Sequence, residues 1–138
     1  MAGYSGTPLV KKLGIRERMQ VVVLNPPPRY EELLGALPEG ASIGSQIRDP
    51  LNFVHLFVKS AADLGTTLKR LRKKIASDGV IWVSWPKRAS KVATDVTEDV
   101  IRAIALPMGF VDVKVCAVDD VWSGLKLVIR KSERQKPK

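Results

Sequence analysis

Two short segments of the sequence each place a tryptophan beside charged side chains. Residues 84–88 read SWPKR, and residues 119–123 read DDVWS. A tryptophan ring can stack on a planar ligand, and a nearby cation can attract an anionic group on that ligand. The pattern predicts a ligand site in which Trp85 and Trp122 act together. The alternative is that both rings cap the end of a small core while the charges face water.

Other residue types that carry chemistry are isolated. His55 lies between Val54 and Leu56, a setting typical of a hydrogen-bonded core histidine rather than a general base. Cys116 lies in an alternating apolar segment and is expected to be a small buried side chain. One cysteine and one histidine exclude an internal disulfide and argue against a zinc site. We therefore predict no catalytic residue, no metal and no cofactor.

Apolar runs alternate with helical patterns along the chain. Continuous apolar runs are typical of strands buried on both faces of a sheet. The predicted strands are residues 19–24, 52–58 and 80–85, followed by a hairpin of 110–118 and 125–130 around the loop 119–124. At most, residues 41–43 add a vestigial strand.

The predicted helices are marked by capping residues. A short helix begins with Thr7 as its cap and Pro8 in its first turn, and ends at Gly14. A second covers residues 29–37. Ser60 with Asp63 caps a third, whose apolar stripe reaches Ile75 and which ends at Gly79. Asp95 with Glu98 opens a fourth, which Pro107 and Gly109 close.

This order of elements predicts a single α/β domain over residues 1–130. We expect a Rossmann-like three-layer sandwich with a reduced, mostly parallel sheet and a C-terminal antiparallel hairpin. Residues 131–138 are predicted to be a basic, disordered tail.

The segments resemble parts of class I S-adenosylmethionine-dependent methyltransferases. LVKKLGIRERMQVVVLN resembles that family's lead-in helix and first strand, and NFVHLFVKS its fourth strand. LKRLRKKIASDGVIWVSWP resembles the next helix and the fifth strand, and the final hairpin resembles strands six and seven. The resemblance implies a truncated methyltransferase-like fold with spatial order one, four, five, seven, six.

Almost the whole chain also resembles a family of small bacterial proteins of unknown function. The resemblance rests on WVSWPKRAS, TDVTEDVIR and VDVKVCAVDDVWSGLK. It implies no activity.

The chain departs from the methyltransferase pattern where the cofactor would bind. The family's glycine-rich turn after strand one is replaced by Asn25, Pro26, Pro27 and Pro28, and prolines offer no N–H donors. Neither Glu39 nor Asp49 stands at a convincing end of a second strand, where an acid would hold the ribose. NPPPRY resembles the Asn-Pro-Pro-aromatic motif of amino-methyltransferases, but it follows the wrong strand and Tyr30 comes two residues late. A rigid proline turn is the other interpretation.

A ligand site is nevertheless expected at one edge of the sheet. Open α/β sheets bind ligands beyond the carboxyl ends of their strands. The loops that converge there supply the candidate ligand-binding residues, which are Asn25, Lys59, Ser60, Ser84, Trp85, Lys87, Arg88, Asp119, Asp120 and Trp122.

The net charge of +9 comes from two segments. Residues 69–74, KRLRKK, contribute +5, and residues 130–138 contribute +4. A solvated helix face with a basic terminus explains this pattern, and a nucleic-acid or other polyanion site is the alternative. The polyanion-binding candidates are Lys69, Arg70, Arg72, Lys73 and Lys74.

Composition narrows the cellular setting. Residues 1–6 lack the features of a secretory signal, and no apolar run is long enough to span a bilayer. We expect a cytoplasmic protein without membrane contact.

Three hypotheses follow. The first is a methyltransferase-like module that binds or regulates without catalysis, with a homodimer as one possible form. The second is a polyanion-binding protein, and the third is a small enzyme or divergent methyltransferase.

Overall fold

The structure is a computed structural model that describes residues 7–134. Two segments lie outside the described residues. They are residues 1–6, to which the prediction of no secretory signal refers, and residues 135–138 of the predicted tail. Within residues 7–134 the helices are α1 (Leu9–Leu13), α2 (Tyr30–Leu34), α3 (Ala61–Arg72) and α4 (Glu98–Ala105). The strands are β1 (Gln20–Leu24), β2 (Ser42–Gly44), β3 (Leu51–Phe57), β4 (Ile75–Pro86), β5 (Phe110–Ala117) and β6 (Trp122–Ile129). This is the mixed α/β architecture that the sequence predicts.

The strands form one sheet in the order β2-β1-β3-β4-β6-β5. The pairs among β2, β1, β3 and β4 are parallel, and β6 is antiparallel to both β4 and β5. The order predicted from the methyltransferase resemblance is confirmed for β1, β3, β4, β6 and β5, and so is the final hairpin. β2 begins and ends one residue later than the vestigial strand predicted at 41–43.

Apolar side chains pack on both faces of the sheet. On one face, Leu64, Leu68 and Leu71 of α3 and Ile101 of α4 form a core with the strands. On the other face, α1 and α2 pack against β1, β3 and β4. The indole Nε1 of Trp82 donates to the carbonyl oxygen of Leu13 at 2.9 Å, which ties the end of α1 to the middle of the sheet.

The third helix ends earlier than predicted. α3 stops at Arg72, and Ile75 pairs with Leu51 at the start of β4. The spacing of Ile75 from Leu71 fits a helical stripe, but Ile75 joins the same core from the start of a strand. Gly79 therefore lies inside β4, where a side chain would collide with that of Ile75.

Two of the predicted helix caps are also wrong. Thr97 caps α4, since its Oγ1 accepts a hydrogen bond from the Val100 N–H at 3.1 Å. Asp95 instead accepts a hydrogen bond from the Ala61 N–H at 2.7 Å, at the start of α3. Pro8, rather than Thr7, is the residue that precedes the first turn of α1.

Other boundaries differ by a few residues. α2 is shorter than the predicted 29–37, because Gly35 with φ 92° ends it. The segment predicted as a disordered tail begins with a short 3₁₀ turn, Lys131–Glu133. None of the helices described is long and apolar enough to cross a membrane.

β5 is an edge strand that exposes two valines. Val113 is 54% exposed and Val115 is 50% exposed. An uncovered sheet edge or apolar patch is the feature expected of a homodimer, and the homodimer itself stays a prediction.

Candidate functional site

The parallel strands β1, β3 and β4 end at the same edge of the sheet, which we call the carboxyl edge. β6 begins there as well, because it runs antiparallel and Trp122 pairs with Pro86. The turn after β1, the start of α3 and the tip of the β5–β6 hairpin therefore meet at this edge. The sequence predicts this convergence.

A pocket of about 530 Å³ opens between these segments. Its wall is mostly apolar, with one amide, one cation and one carboxylate. We call it the proline pocket, and its lining residues are Asn25, Pro26, Pro27, Pro28, Phe57, Val58, Lys59, Asp63, Val92, Val121 and Trp122.

The turn after β1 forms one wall of the proline pocket. Asn25 has φ 56° and Arg29 has φ 62°, so both residues that flank the three prolines are in the left-handed region. Nδ2 of Asn25 donates to the carbonyl oxygen of Phe57 at 3.4 Å, which links the turn to the end of β3. Because proline rings fix φ, this wall is rigid.

The start of α3 forms a second wall. Oγ of Ser60 accepts a hydrogen bond from the Asp63 N–H at 3.2 Å, which confirms Ser60 as the cap. Asp63 also lines the pocket, as does Lys59. Oγ1 of Thr94 donates to the carbonyl oxygen of Lys59 at 2.6 Å, and this contact holds the loop that carries Val92 into the wall.

The hairpin tip completes the pocket. Oδ1 of Asp119 accepts hydrogen bonds from the N–H groups of Val121 at 2.8 Å and Trp122 at 2.7 Å. Asp120 is exposed. The two adjacent acids therefore differ in role, because Asp119 shapes the turn and Asp120 faces water.

The two tryptophans do not share a site. Trp85 pairs with Ser123, and Trp122 pairs with Pro86, so the rings extend from opposite faces of the sheet. Trp85 packs with α3 and α4, whereas Trp122 packs edge to face on Phe57, with ring centroids 5.0 Å apart. Each is only 8% exposed. A planar ligand cannot be stacked by both rings, which corrects the expectation from the sequence.

Trp85 and Arg88 line a separate pocket of about 700 Å³ near the start of α4, together with Glu98 and Asp99. Lys87 is held by its backbone, whose N–H donates to the carbonyl oxygen of Val121 at 2.7 Å. Of the ten predicted ligand-binding residues, three line the proline pocket, namely Asn25, Lys59 and Trp122, and Ser60 follows Lys59 in the sequence.

Ser84 belongs to a buried polar chain. Nε2 of His55 lies 2.8 Å from Oγ of Ser84, and Nδ1 lies 2.7 Å from the Tyr30 hydroxyl. His55 and Ser84 are fully buried, and burial lowers the pKa of His55 to about 3. Burial also raises the pKa of Tyr30. His55 is the hydrogen-bonded core residue that the sequence predicts.

Other candidates for chemistry stay apart from the proline pocket. Burial raises the pKa of the half-buried Cys116 thiol, which disfavours the reactive thiolate. Across residues 7–134, no three His, Cys, Asp or Glu side chains are arranged to hold a metal ion.

The polyanion-binding candidates lie at the far end of α3. Lys69, Arg70, Lys73 and Lys74 are exposed. Arg72 is half-buried, and its Nε donates to the carbonyl oxygen of Met108 at 2.8 Å.

Sequence reasoning missed Asp63 and Val92 as pocket residues. The capping pattern places Asp63 in the first turn of α3, but a local pattern does not show which cavity the residue borders. Val92 lies in a polar loop whose packing is set by the contacts of Thr94 with Lys59 and of Asp95 with Ala61, which link segments far apart in the sequence.

Comparison with known proteins supports the fold. Neither a protein-family model nor a curated protein matches the sequence. Among solved structures, the chain is similar to one from Sulfolobus solfataricus described as "a putative type 11 methyltransferase". The TM-score is 0.51 at 12% identity, over 84% of this chain and 88% of that one. The protein therefore has a methyltransferase-like α/β fold, and at this identity the likeness extends to the fold alone.

Proposed function

We propose that this protein is a methyltransferase-like binding module that holds a small molecule in the proline pocket and does not transfer methyl groups. One observation carries the proposal. The proline turn stands where the methyltransferase resemblance calls for a glycine-rich cofactor turn, and there it forms the wall of a pocket.

The residues around this turn do not fit S-adenosylmethionine. Three prolines remove three N–H donors and add rings where a backbone would have to approach the cofactor closely. β2 ends at Gly44 and is followed by Ser45, so no acid is available there for ribose hydroxyls. Glu39 precedes β2, and Asp49 precedes β3.

The composition of the wall indicates the class of ligand. Prolines, Phe57, Val92 and Val121 suit an apolar, ring-sized body, and such pockets typically use a few polar groups to fix orientation. Lys59 suits an anionic group at one end of the ligand. Asn25 adds an amide, and Asp63 adds a carboxyl group that favours a hydrogen-bond donor on the ligand rather than a second anion.

A thermal melt with S-adenosylhomocysteine tests the loss of cofactor binding. A ligand at 100 times its Kd adds about 2.7 kcal/mol and would raise the Tm of a domain of this size by roughly 5–10 °C. We expect no shift. A clear increase in Tm would contradict the proposal and favour a divergent methyltransferase.

Fluorescence titration with 8-anilinonaphthalene-1-sulfonate tests the pocket, because this probe joins an aromatic body to an anion. We expect Lys59→Gln to weaken binding about 3- to 10-fold, and Val92→Asp to weaken it further by repelling the sulfonate. Lys87→Gln is the matched control, since Lys87 lies at the carboxyl edge but outside the pocket. Equal effects of Lys59→Gln and Lys87→Gln would show that the probe binds elsewhere.

A further inference from the structure

The two basic segments of the sequence meet at the end of α3 that lies away from the proline pocket. Nη2 of Arg72 lies 4.0 Å from Oε1 of Glu133, which brings the two segments together. Both are also anchored to residues 108–109, because Nε of Arg72 donates to the Met108 carbonyl oxygen at 2.8 Å and the Arg130 N–H donates to the Gly109 carbonyl oxygen at 2.7 Å. Gly109 lies between the Arg72 and Glu133 side chains, and a Cβ there would stand 3.3 Å from Nη2 of Arg72 and 3.1 Å from Cγ of Glu133. Residues 69–74 and the C-terminal segment are therefore held side by side.

Six cations are exposed at this junction. Nε of Arg134 donates to the carbonyl oxygen of Ile129 at 3.0 Å, and the other five make no side-chain hydrogen bond within the described residues. Lys69, Arg70, Lys73 and Lys74 project from the end of α3, and Lys131 from the adjoining 3₁₀ turn. We call these five residues the basic surface. Within the described chain, the ion pairs involve none of them.

Few acids oppose this charge. Along the sequence the nearest are Asp78 and Glu133, and Glu133 is already beside Arg72. Asp63 lies in the first turn of α3, at the proline pocket. Cations at the end of a helix also offset its dipole, but that effect fades within the last turn and does not account for Lys131.

We propose that the basic surface binds the phosphate backbone of a duplex nucleic acid. Lysine and arginine without neighbouring aromatic residues suit phosphates rather than unstacked bases, and neither α3 nor residues 130–134 contain an aromatic residue. The large apolar side chains that are exposed among residues 7–134 are Leu106, Val113 and Val115. Leu106 adjoins the C-terminal segment, since Nη2 of Arg130 donates to its carbonyl oxygen at 2.7 Å, but one leucine that is 36% exposed is not an apolar patch. A membrane surface would be expected to engage apolar side chains as well.

The inference is independent of the proline pocket. α3 is 12 residues long, so its two ends lie about 18 Å apart. The sequence continues past the described residues with Lys136 and Lys138, so the full chain is the right material for the test.

The test is fluorescence anisotropy of a labelled DNA duplex of about 20 base pairs, titrated between about 50 and 200 mM salt. If each of the five cations contacts one phosphate, the logarithm of the association constant should fall with the logarithm of the salt concentration at a slope of about −4 to −5. The variant Lys69→Gln/Arg70→Gln/Lys73→Gln/Lys74→Gln should lose at least about 100-fold in affinity at the lowest salt and make the slope shallower by about 3 to 4.

The control variant is Lys11→Gln/Arg16→Gln/Arg48→Gln/Lys114→Gln. It removes four exposed cations elsewhere and reaches the same net charge. We expect its affinity and salt slope to stay close to those of the unmodified protein. Circular dichroism melts establish that both variants fold; if the α3 variant does not, Lys73→Gln/Lys74→Gln replaces it, with an expected change in slope of about 2.

Three outcomes would overturn the proposal. The first is no duplex binding at the lowest salt. The second is equal weakening in both variants, which would mean that only net charge matters. The third is binding to vesicles of phosphatidylserine and phosphatidylcholine in place of the duplex, which would mean that the surface meets a membrane.

Discussion

The Tyr30 hydroxyl lies 2.7 Å from Nδ1 of His55, in the buried layer between α2 and the sheet. With Ser84 on the other ring nitrogen, a neutral imidazole has a partner on each side, since a hydroxyl can donate or accept. The two bonds link α2 to β3 and β3 to β4, and both of these strands end at the carboxyl edge.

This arrangement predicts a pH dependence of stability. Burial lowers the pKa of His55 from 6.5 to about 3, so from pH 6.5 down to 3 the unfolded chain binds a proton that the folded protein does not. The free energy of unfolding should fall as the pH falls through this range, by up to about 1.4 kcal/mol per pH unit, and should not respond to His55 above pH 6.5. Urea denaturation of the unmodified protein and of His55→Gln, at matched pH, measures the difference. Parallel curves for the two proteins would contradict the prediction.

Removing the Tyr30 hydroxyl should destabilise the fold without changing its shape. Tyr30→Phe leaves one nitrogen of His55 buried without its partner, at a cost of about 1–3 kcal/mol in unfolding free energy. Chemical denaturation gives the value. The double variant Tyr30→Phe/His55→Phe deprives Ser84 of its partner, as His55→Phe alone does, so the two single variants and the double variant form a cycle that isolates the Tyr30–His55 bond. We expect the loss in the double variant to be smaller than the sum of the two single losses, and additive losses would argue against a direct coupling.

Asn25 can be tested with a pair of substitutions. The backbone at residue 25 has φ 56°, which alanine tolerates less well than asparagine, and Asn25→Ala also removes the hydrogen bond to Phe57. We therefore expect Asn25→Ala to lower the free energy of unfolding by about 1–2 kcal/mol. Asn25→Gly loses the bond but adopts this φ freely, so it should cost less. Thermal melts rank the two. Equal losses would mean that the hydrogen bond, and not the backbone conformation, decides the effect.

The adjacent acids of the hairpin tip should respond differently. Asp119→Ala removes the acceptor of two backbone N–H groups and should cost about 1–2 kcal/mol, whereas Asp119→Asn keeps an acceptor oxygen and should cost less. Asp120→Ala is the control and should change stability by less than about 0.5 kcal/mol. Denaturant midpoints provide the comparison, and a large effect of Asp120→Ala would contradict the assignment.

The sequence by itself determined the framework of this protein. Apolar runs at residues 19–24 and 52–58 mark strands because buried strands need apolar side chains on both faces, and Ser60 marks the start of α3 because its oxygen can satisfy a free N–H. The prolines at 26–28 remove three backbone N–H donors after β1, and this follows from the covalent structure alone.

Only the tertiary structure decided which side chains meet. The sequence shows that Trp85 and Trp122 both reach the carboxyl edge, but the pairing of Trp85 with Ser123 sets them on opposite faces, because neighbouring positions along a strand alternate. Ile75 satisfies a helical stripe and a buried strand equally well, and its pairing with Leu51 selects the strand. The proline pocket and the basic surface depend on contacts between distant segments, Thr94 with Lys59 and Arg72 with Glu133, and no local pattern specifies those.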